Sequence, residues 1–315
     1  MLGYLRTFTR KYSVSRQYNE VKIPLPWGHV AGKLWEASDK NKRPILALHG
    51  WQDNCGTFDR LIPLLDKDHG FLAIDLPGHG LSSKLPNGVP YEFLNYPILI
   101  RSIMNYFSWP KISLMGHSLG AISCYTFTML FNDEVEFLIL IDGLKPLELP
   151  NTGGRLKREI DNFLKYDKQN QDSTNQPSYS LDYLKKKMSE QNNNAINLEN
   201  TEYILKRNII ESETEPGKYY ITRDSRLKIH SFINWSQRDI LSGTEQVKCP
   251  MLMLKSDSSG YFEKKKNFTE VFEVLKENNK KMHYHVVKGT HFVHLNNPEI
   301  IKDYINDFMG KYGEK

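Results

Sequence analysis

A serine set between two glycines, Gly116-His117-Ser118-Leu119-Gly120, follows the apolar run Ile112–Met115 and opens a helical stretch. That order predicts a strand, a sharp turn and a helix. Glycines at 116 and 120 let the turn close, while the serine itself takes a strained backbone conformation. Its hydroxyl then projects from the edge of a sheet, above a helix N-terminus that favours developing negative charge. A hydroxyl held this way can attack a carbonyl carbon once a neighbouring base takes its proton. The tetrahedral oxyanion that results needs backbone N–H donors aimed at it. A turn of this kind offers Leu119, the residue after the nucleophile, as one donor. The stretch His49-Gly50-Trp51, directly after the apolar run Pro44–Leu48, offers Trp51 as the other and as a wall of the pocket. His49 reads as support for that loop.

The base is expected late in the chain, after the last strand. His291, in Gly289-Thr290-His291 behind the run His283–Val287, meets that condition; His294 is its near rival. An imidazole with an ordinary pKa near ~6.5 can accept and return a proton at neutral pH. The acid that holds the imidazole in the right tautomer has two sources. Asp257 follows the run Met251–Leu254, and Asp142 ends the run Phe137–Ile141. The reading leans to Asp142, because the acid slot further along the loop after Leu254 is filled by Ser259. Asp257 alternatively makes an Asx turn, and Asp142 alternatively caps one. Asp224 is an outside third source. Asp75, in Asp75-Leu76-Pro77-Gly78-His79-Gly80-Leu81-Ser82, is expected to bond loop amides, with His79 packing the loop.

Eight apolar runs are available to position these residues: Val21–Leu25, His29–Trp35, Pro44–Leu48, Phe71–Ile74, Ile112–Met115, Phe137–Ile141, Met251–Leu254 and His283–Val287. Most are continuous rather than alternating, as strands covered on both faces should be. Helical patterns at Glu92–Phe107, Leu119–Phe131, Tyr261–Glu277 and Pro298–Met309 separate them. Alternation of the two predicts an α/β fold with a mostly parallel, doubly wound, eight-stranded sheet. The rhythm breaks at residues 145–246, where charged helical patterns at Arg155–Tyr166, Leu181–Gln191 and Glu199–Ile210 replace buried strands. This stretch is expected to be a helical lid inserted between core parts 19–144 and 247–315. Within it, Arg223-Asp224 and Arg226-Leu227 read as an ordinary charged turn.

The 315 residues carry a formal charge of +5, with 39% apolar and 25% charged residues intermixed. No basic stripe is interleaved with aromatics, so no nucleic-acid partner is expected. Three separated cysteines without a CxxC pair speak against a zinc site or disulfide framework and for a reducing, intracellular compartment. No apolar run approaches the ~20 residues that span a bilayer. Residues 1–18 are basic and amphipathic, and the first acid is Glu20. They fit either a mitochondrial transit segment or a basic tail on a cytoplasmic protein. The ending Gly-Glu-Lys is not a peroxisomal address.

Over residues 20–312 the chain resembles the α/β-hydrolase superfamily through HGW at 49–51, DLPGHGLS at 75–82, GHSLG at 116–120 and GTHFVH at 289–294. In finer detail, IPLPWGHVAGKLW, LHGWQDNCGTFDRLIPLL and LKSDSSGYF resemble the animal serine hydrolase-like, or kraken-like, branch. The resemblance implies a Ser-His-Asp hydrolase with a helical cap and no metal, and implies no particular substrate. A small-molecule acyl substrate and no cofactor are expected from the serine chemistry itself. The expected reaction is cleavage of a carboxylic ester or thioester through an acyl-enzyme. Carbon–carbon bond hydrolysis can use the same triad. A ligand-binding protein on a hydrolase scaffold is the non-catalytic alternative.

Overall fold

The computed structural model describes residues 16–148, 152–171, 176–233 and 235–313. The transit reading of residues 1–18 falls almost wholly on residues 1–15, outside the described residues. Arg16 donates to the carbonyls of Glu36 and His69.

Two antiparallel strands, β1 (Asn19–Leu25) and β2 (Gly28–Trp35), open the chain, and β3 (Ile45–Leu48) and β4 (Phe71–Ile74) follow. Next come α1 (Asn95–Phe107), β5 (Ile112–His117), α2 (Leu119–Phe131) and β6 (Val135–Ile141). After the 145–246 stretch the core resumes with β10 (Met251–Ser256), α7 (Lys265–Asn278), β11 (Met282–Val287), the short α8 (Val293–Asn296) and α9 (Lys302–Tyr312). The eight strands form one sheet in the order β1-β2-β4-β3-β5-β6-β10-β11, with every neighbour from β4 to β11 parallel. The expected mostly parallel, eight-stranded sheet is therefore present.

Apolar residues alternate between the two faces. Along β6, Leu138 and Leu140 enter one core with α1 and α2, while Phe137, Ile139 and Ile141 enter another with α9. Both faces are dry, which is why these strands read as unbroken apolar runs.

Three helices begin later than their periodicity predicts. α1 starts at Asn95 rather than Glu92, because the Glu92 carboxylate is engaged by Ser231 and the Phe232 amide. α7 starts at Lys265 rather than Tyr261, because Glu263 turns in to pair with buried Lys145 at 2.7 Å. α9 starts at Lys302 after a 3-10 turn at Pro298–Ile300.

Between β6 and β10 lie α3 (Gly153–Gln171), β7 (Tyr179–Ser180), α4 (Leu181–Gln191), α5 (Thr201–Asn208), β8 (Ile209–Glu211), β9 (Lys218–Ile221) and α6 (Gln237–Thr244). The helix expected through Ile210 ends at Asn208. β-branched Ile209 and Ile210 instead pair with Tyr220 and Ile221 in a small antiparallel sheet ordered β7-β9-β8. The charged turn at 223–227 is also not ordinary: Asp224 and Arg226 are both buried and paired at 2.8 Å.

Candidate active site

Parallel strands end together, so the loops after β3, β5, β6, β10 and β11 gather at one edge of the sheet. Ser118, Asp142, Asp257, His291 and the His49-Gly50-Trp51 stretch each follow one of these strands, whereas Asp75 and His79 follow β4 and Asp224 lies in the 145–246 stretch. Ser118 occupies the turn between β5 and α2 with φ 52° and ψ −116°, a region side chains rarely adopt. Its neighbours require glycine: a Cβ on Gly116 would lie 2.4 Å from the Gly120 carbonyl carbon, and one on Gly120 would lie 2.0 Å from the Leu48 oxygen. The Ser118 N–H donates to the Ile141 carbonyl at 3.1 Å, which ties the turn to the end of β6.

Asp142 follows that strand end, also with positive φ (47°), and its N–H donates to the Leu254 carbonyl. The carboxylate is buried. His291 Nδ1 lies 2.5 Å from Oδ2, while Lys255 Nζ and the Ser256 N–H donate to Oδ1 at 2.8 and 2.9 Å. Burial alone would raise this carboxyl; the bonds from His291 and Lys255 overcome it and hold the group below the usual carboxylate range. A carboxylate can only accept, so His291 carries its hydrogen on Nδ1. Nε2 is then free to accept from the Ser118 hydroxyl, 2.9 Å away.

Asp257 does not reach His291. It is exposed and accepts from the Gly289 N–H and the Ser258 hydroxyl, which hold its carboxyl below the ordinary range. Its contact is thus with the start of the loop that carries His291. Asp224 is committed to Arg226 and to the Tyr91 hydroxyl. His294 is fully buried against the Thr57 hydroxyl at 2.8 Å, and burial pushes its imidazole down to about 3. His49 accepts from the Leu76 N–H and contacts the Gly50 carbonyl; burial lowers it to about 4. His79 accepts from the Gln52 N–H. Asp75 bonds loop amides as expected, those of Cys55 and Leu81, and also takes Arg207 from α5 at 2.8 Å.

Sequence reasoning missed several neighbours. Lys255 could have been read from its place at the end of an apolar strand, since a buried lysine needs an acid. His117, inside the serine motif, donates through Nε2 to the His291 carbonyl at 2.9 Å and so fixes the backbone of that residue. Phe262 packs edge-on against the His291 ring. Nothing in its local pattern distinguishes it from a helix residue.

Among the described residues, Asp53, His117 and His294 form the group that could hold a metal ion, with donor atoms all within 4.8 Å of one another. Zinc bonds of ~2.1 Å imply tetrahedral edges of roughly 3.4 Å, so an ion would require these side chains to close in.

Ser118 opens into a cavity of about 460 Å³ whose walls are mainly apolar, among them Trp51, Tyr96, Leu119, Ile233, Trp235 and Phe262. Trp51 and Leu119 thus share one cavity with Ser118. Leu119 is the first residue of α2, so its N–H has no intrahelical acceptor.

A family model described as alpha/beta hydrolase fold matches residues 43–298. A Drosophila melanogaster protein named "Probable serine hydrolase" is 35% identical over 299 residues, 93% of this chain and 88% of that one. A "Serine hydrolase-like protein" of Danio rerio is 33% identical, over 97% of this chain and 92% of its own. Among solved structures, that of a hypothetical protein from Pseudomonas aeruginosa PAO1 matches with a TM-score of 0.76 and 25% identity, over 93% of this chain and 98% of its own.

Proposed function

Because the chain belongs to the α/β-hydrolase fold family, we propose that it is a serine hydrolase cleaving a carboxylic ester or thioester through an acyl-enzyme. The observation that carries this reading is the continuous relay from the Ser118 hydroxyl through His291 to the buried Asp142 carboxylate, opening into an apolar cavity. Ser118 Oγ attacks the carbonyl carbon as His291 Nε2 takes its proton. Asp142 holds the ring and stabilises the imidazolium. The Trp51 and Leu119 amides receive the oxyanion. The imidazolium then protonates the departing oxygen or sulfur, and the same base activates the water that releases the acid.

The acyl group occupies the aromatic cavity. Ile233 and Trp235 in its wall come from the 145–246 segment, which supports reading that segment as a lid that selects the acyl chain. A series of p-nitrophenyl esters of increasing chain length, run beside Ser118→Ala, tests the reaction. Labelling by a fluorophosphonate distinguishes an activated serine from a ligand-binding scaffold, which would stay unlabelled. No described helix is long and apolar enough to cross a membrane. The basic, acid-free start of the chain supports a mitochondrial address. A tagged chain lacking residues 2–15 should lose mitochondrial staining, and diffuse staining of the full chain would refute the address.

A further inference from the structure

A second cavity, of about 260 Å³, shares Trp51 with the aromatic one. Its wall also includes Phe292, the residue after His291, so the two cavities adjoin at Trp51 near the loop that carries the histidine. Its chemistry is opposite. Arg223 and Lys187 line it, and Lys228 lies near them: burial first, and then the charges of Arg223 and Lys187, lower its pKa. Arg223 is half-buried, and burial pulls its guanidinium down to about 10. Its described bond is a single one, from Nη1 to the Gln52 carbonyl at 3.3 Å. Lys187 rests on the rings of Tyr179 and Tyr183. Among the described residues no carboxylate pairs with either cation. Asp53 also lines the wall; burial raises its carboxyl to about 7, so near neutral pH it offsets only part of that charge. Asn208, only 2% exposed, lines the same cavity with an amide Oδ1 that has no hydrogen-bond partner.

Converging cations repel one another and lose hydration, and among the described residues no ion pair returns that free energy. An anionic ligand would return it. We infer that this cavity binds the departing half of the substrate, and that this half is an alcohol or thiol carrying a phosphate or carboxylate. The inference rests on the acyl-transfer reading above, which assigns the acyl half to the aromatic cavity. Arg223 offers the forked donors that suit either anion, Lys187 and Lys228 add charge, and Asn208 Oδ1 accepts from a hydroxyl or amide near it. The cations also focus field lines and draw an anionic substrate towards the serine. Because Arg223 holds the carbonyl of Gln52, the residue after Trp51, filling the subsite also steadies the loop that carries one oxyanion donor.

The test uses three esters with one acyl group: phenyl, 4-carboxyphenyl and 4-phosphonooxyphenyl. The protein should favour the two charged esters in kcat/KM by on the order of tenfold, mostly through KM. Which anion wins identifies the natural group. Arg223→Gln, checked by thermal melting, should erase most of the preference, and Arg223→Lys should restore part of it. Salt should shrink it. A second arm needs no turnover. Ser118→Ala protein titrated in a calorimeter should bind 4-hydroxyphenyl phosphate more tightly than phenol, and Arg223→Gln on that background should remove the difference. Equal kcat/KM for all three esters, together with equal binding of the charged and neutral phenols, overturns the subsite. Arg223-dependent binding of the phosphate without cleavage of any ester upholds the subsite and refutes the acyl-transfer reading instead.

Discussion

Ser118 is held at φ 52° and ψ −116° by glycines that let backbone approach where no Cβ could fit. Such a residue costs about 1–3 kcal/mol, retained because the geometry aims the hydroxyl at His291. Ser118→Ala should lower kcat on the order of a millionfold while keeping the strain. Ser118→Gly should be as inactive but more stable by about 1 kcal/mol in urea unfolding, since glycine tolerates positive φ. A glycine variant no more stable than the alanine one would show that the turn is not strained. The two aspartates make a sharper comparison. Asp142→Asn removes the carboxylate on His291 Nδ1 and should cost roughly ten-thousandfold in kcat. Asp257→Asn disturbs only exposed bonds to Gly289 and Ser258 and should be mild. The opposite ranking, on protein shown to be folded, would move the acid to the β10 loop. Serine and late histidine were legible because each must stand at a strand end with a fixed neighbour. The acid was less so, since an aspartate at a strand end looks the same whether it caps a turn or faces an imidazole. Lys255 and His117 were passed over because their partners, Asp142 and the His291 carbonyl, lie 113 and 174 residues away in sequence.

At the scale of elements, buried guanidinium groups fasten the 145–246 segment to the sheet. Arg207 on α5 reaches Asp75 in the loop after β4 at 2.8 Å, with both side chains almost wholly buried. Arg226 pairs with Asp224 and donates to the carbonyls of Leu85, Pro86 and Val89. Removing one partner of a buried pair leaves the other charge uncompensated, at a cost of about 3–5 kcal/mol. Arg207→Met should therefore lower stability by that order. Lys186→Met, which breaks only an exposed pair with Glu190, should be neutral. If the two variants melt together, Arg207 does not fasten the segment. These anchors were illegible for a general reason: a charged residue on a helical pattern, as Arg207, or in a turn, as Arg226, is by default assigned to water. The small β7-β9-β8 sheet was illegible for another. Its strands have two, four and three residues and are half exposed, too short for a period-2 pattern to emerge. The strands of the main sheet, buried on both faces, had no such ambiguity.

The whole molecule carries an acid sensitivity that no single contact reveals. His49, His79, His117 and His294 are all fully buried, and burial lowers each one: His49 to about 4, His294 to about 3, the others well below the ordinary value. All four are neutral in the folded protein at pH 7, and below about 6.5 the unfolded chain binds protons the folded chain refuses. Stability is therefore complete above the unfolded pKa and falls as the pH drops towards the folded values. Asp53 acts in the other direction. Its carboxyl is raised to about 7, so the folded form holds a proton the unfolded form has lost, and acidification favours folding there. For these five buried groups the balance is three protons, each worth about 1.4 kcal/mol per pH unit, or about 4 kcal/mol per unit near pH 5. The less buried His69 and His283, also lowered, act in the same direction, and Asp59, raised, in the opposite one. Urea unfolding at pH 7.5, 6 and 5 should show stability falling steeply across the last interval. Asp142 adds nothing in this window, because its carboxyl is held below the usual range and stays ionised. His294→Gln should flatten the fall by about one proton, whatever its effect on stability at pH 7.5. A stability unchanged from pH 7.5 to 5 would mean that these histidines take up protons within the fold, and the dry packing beneath Ser118 would then have to be wet.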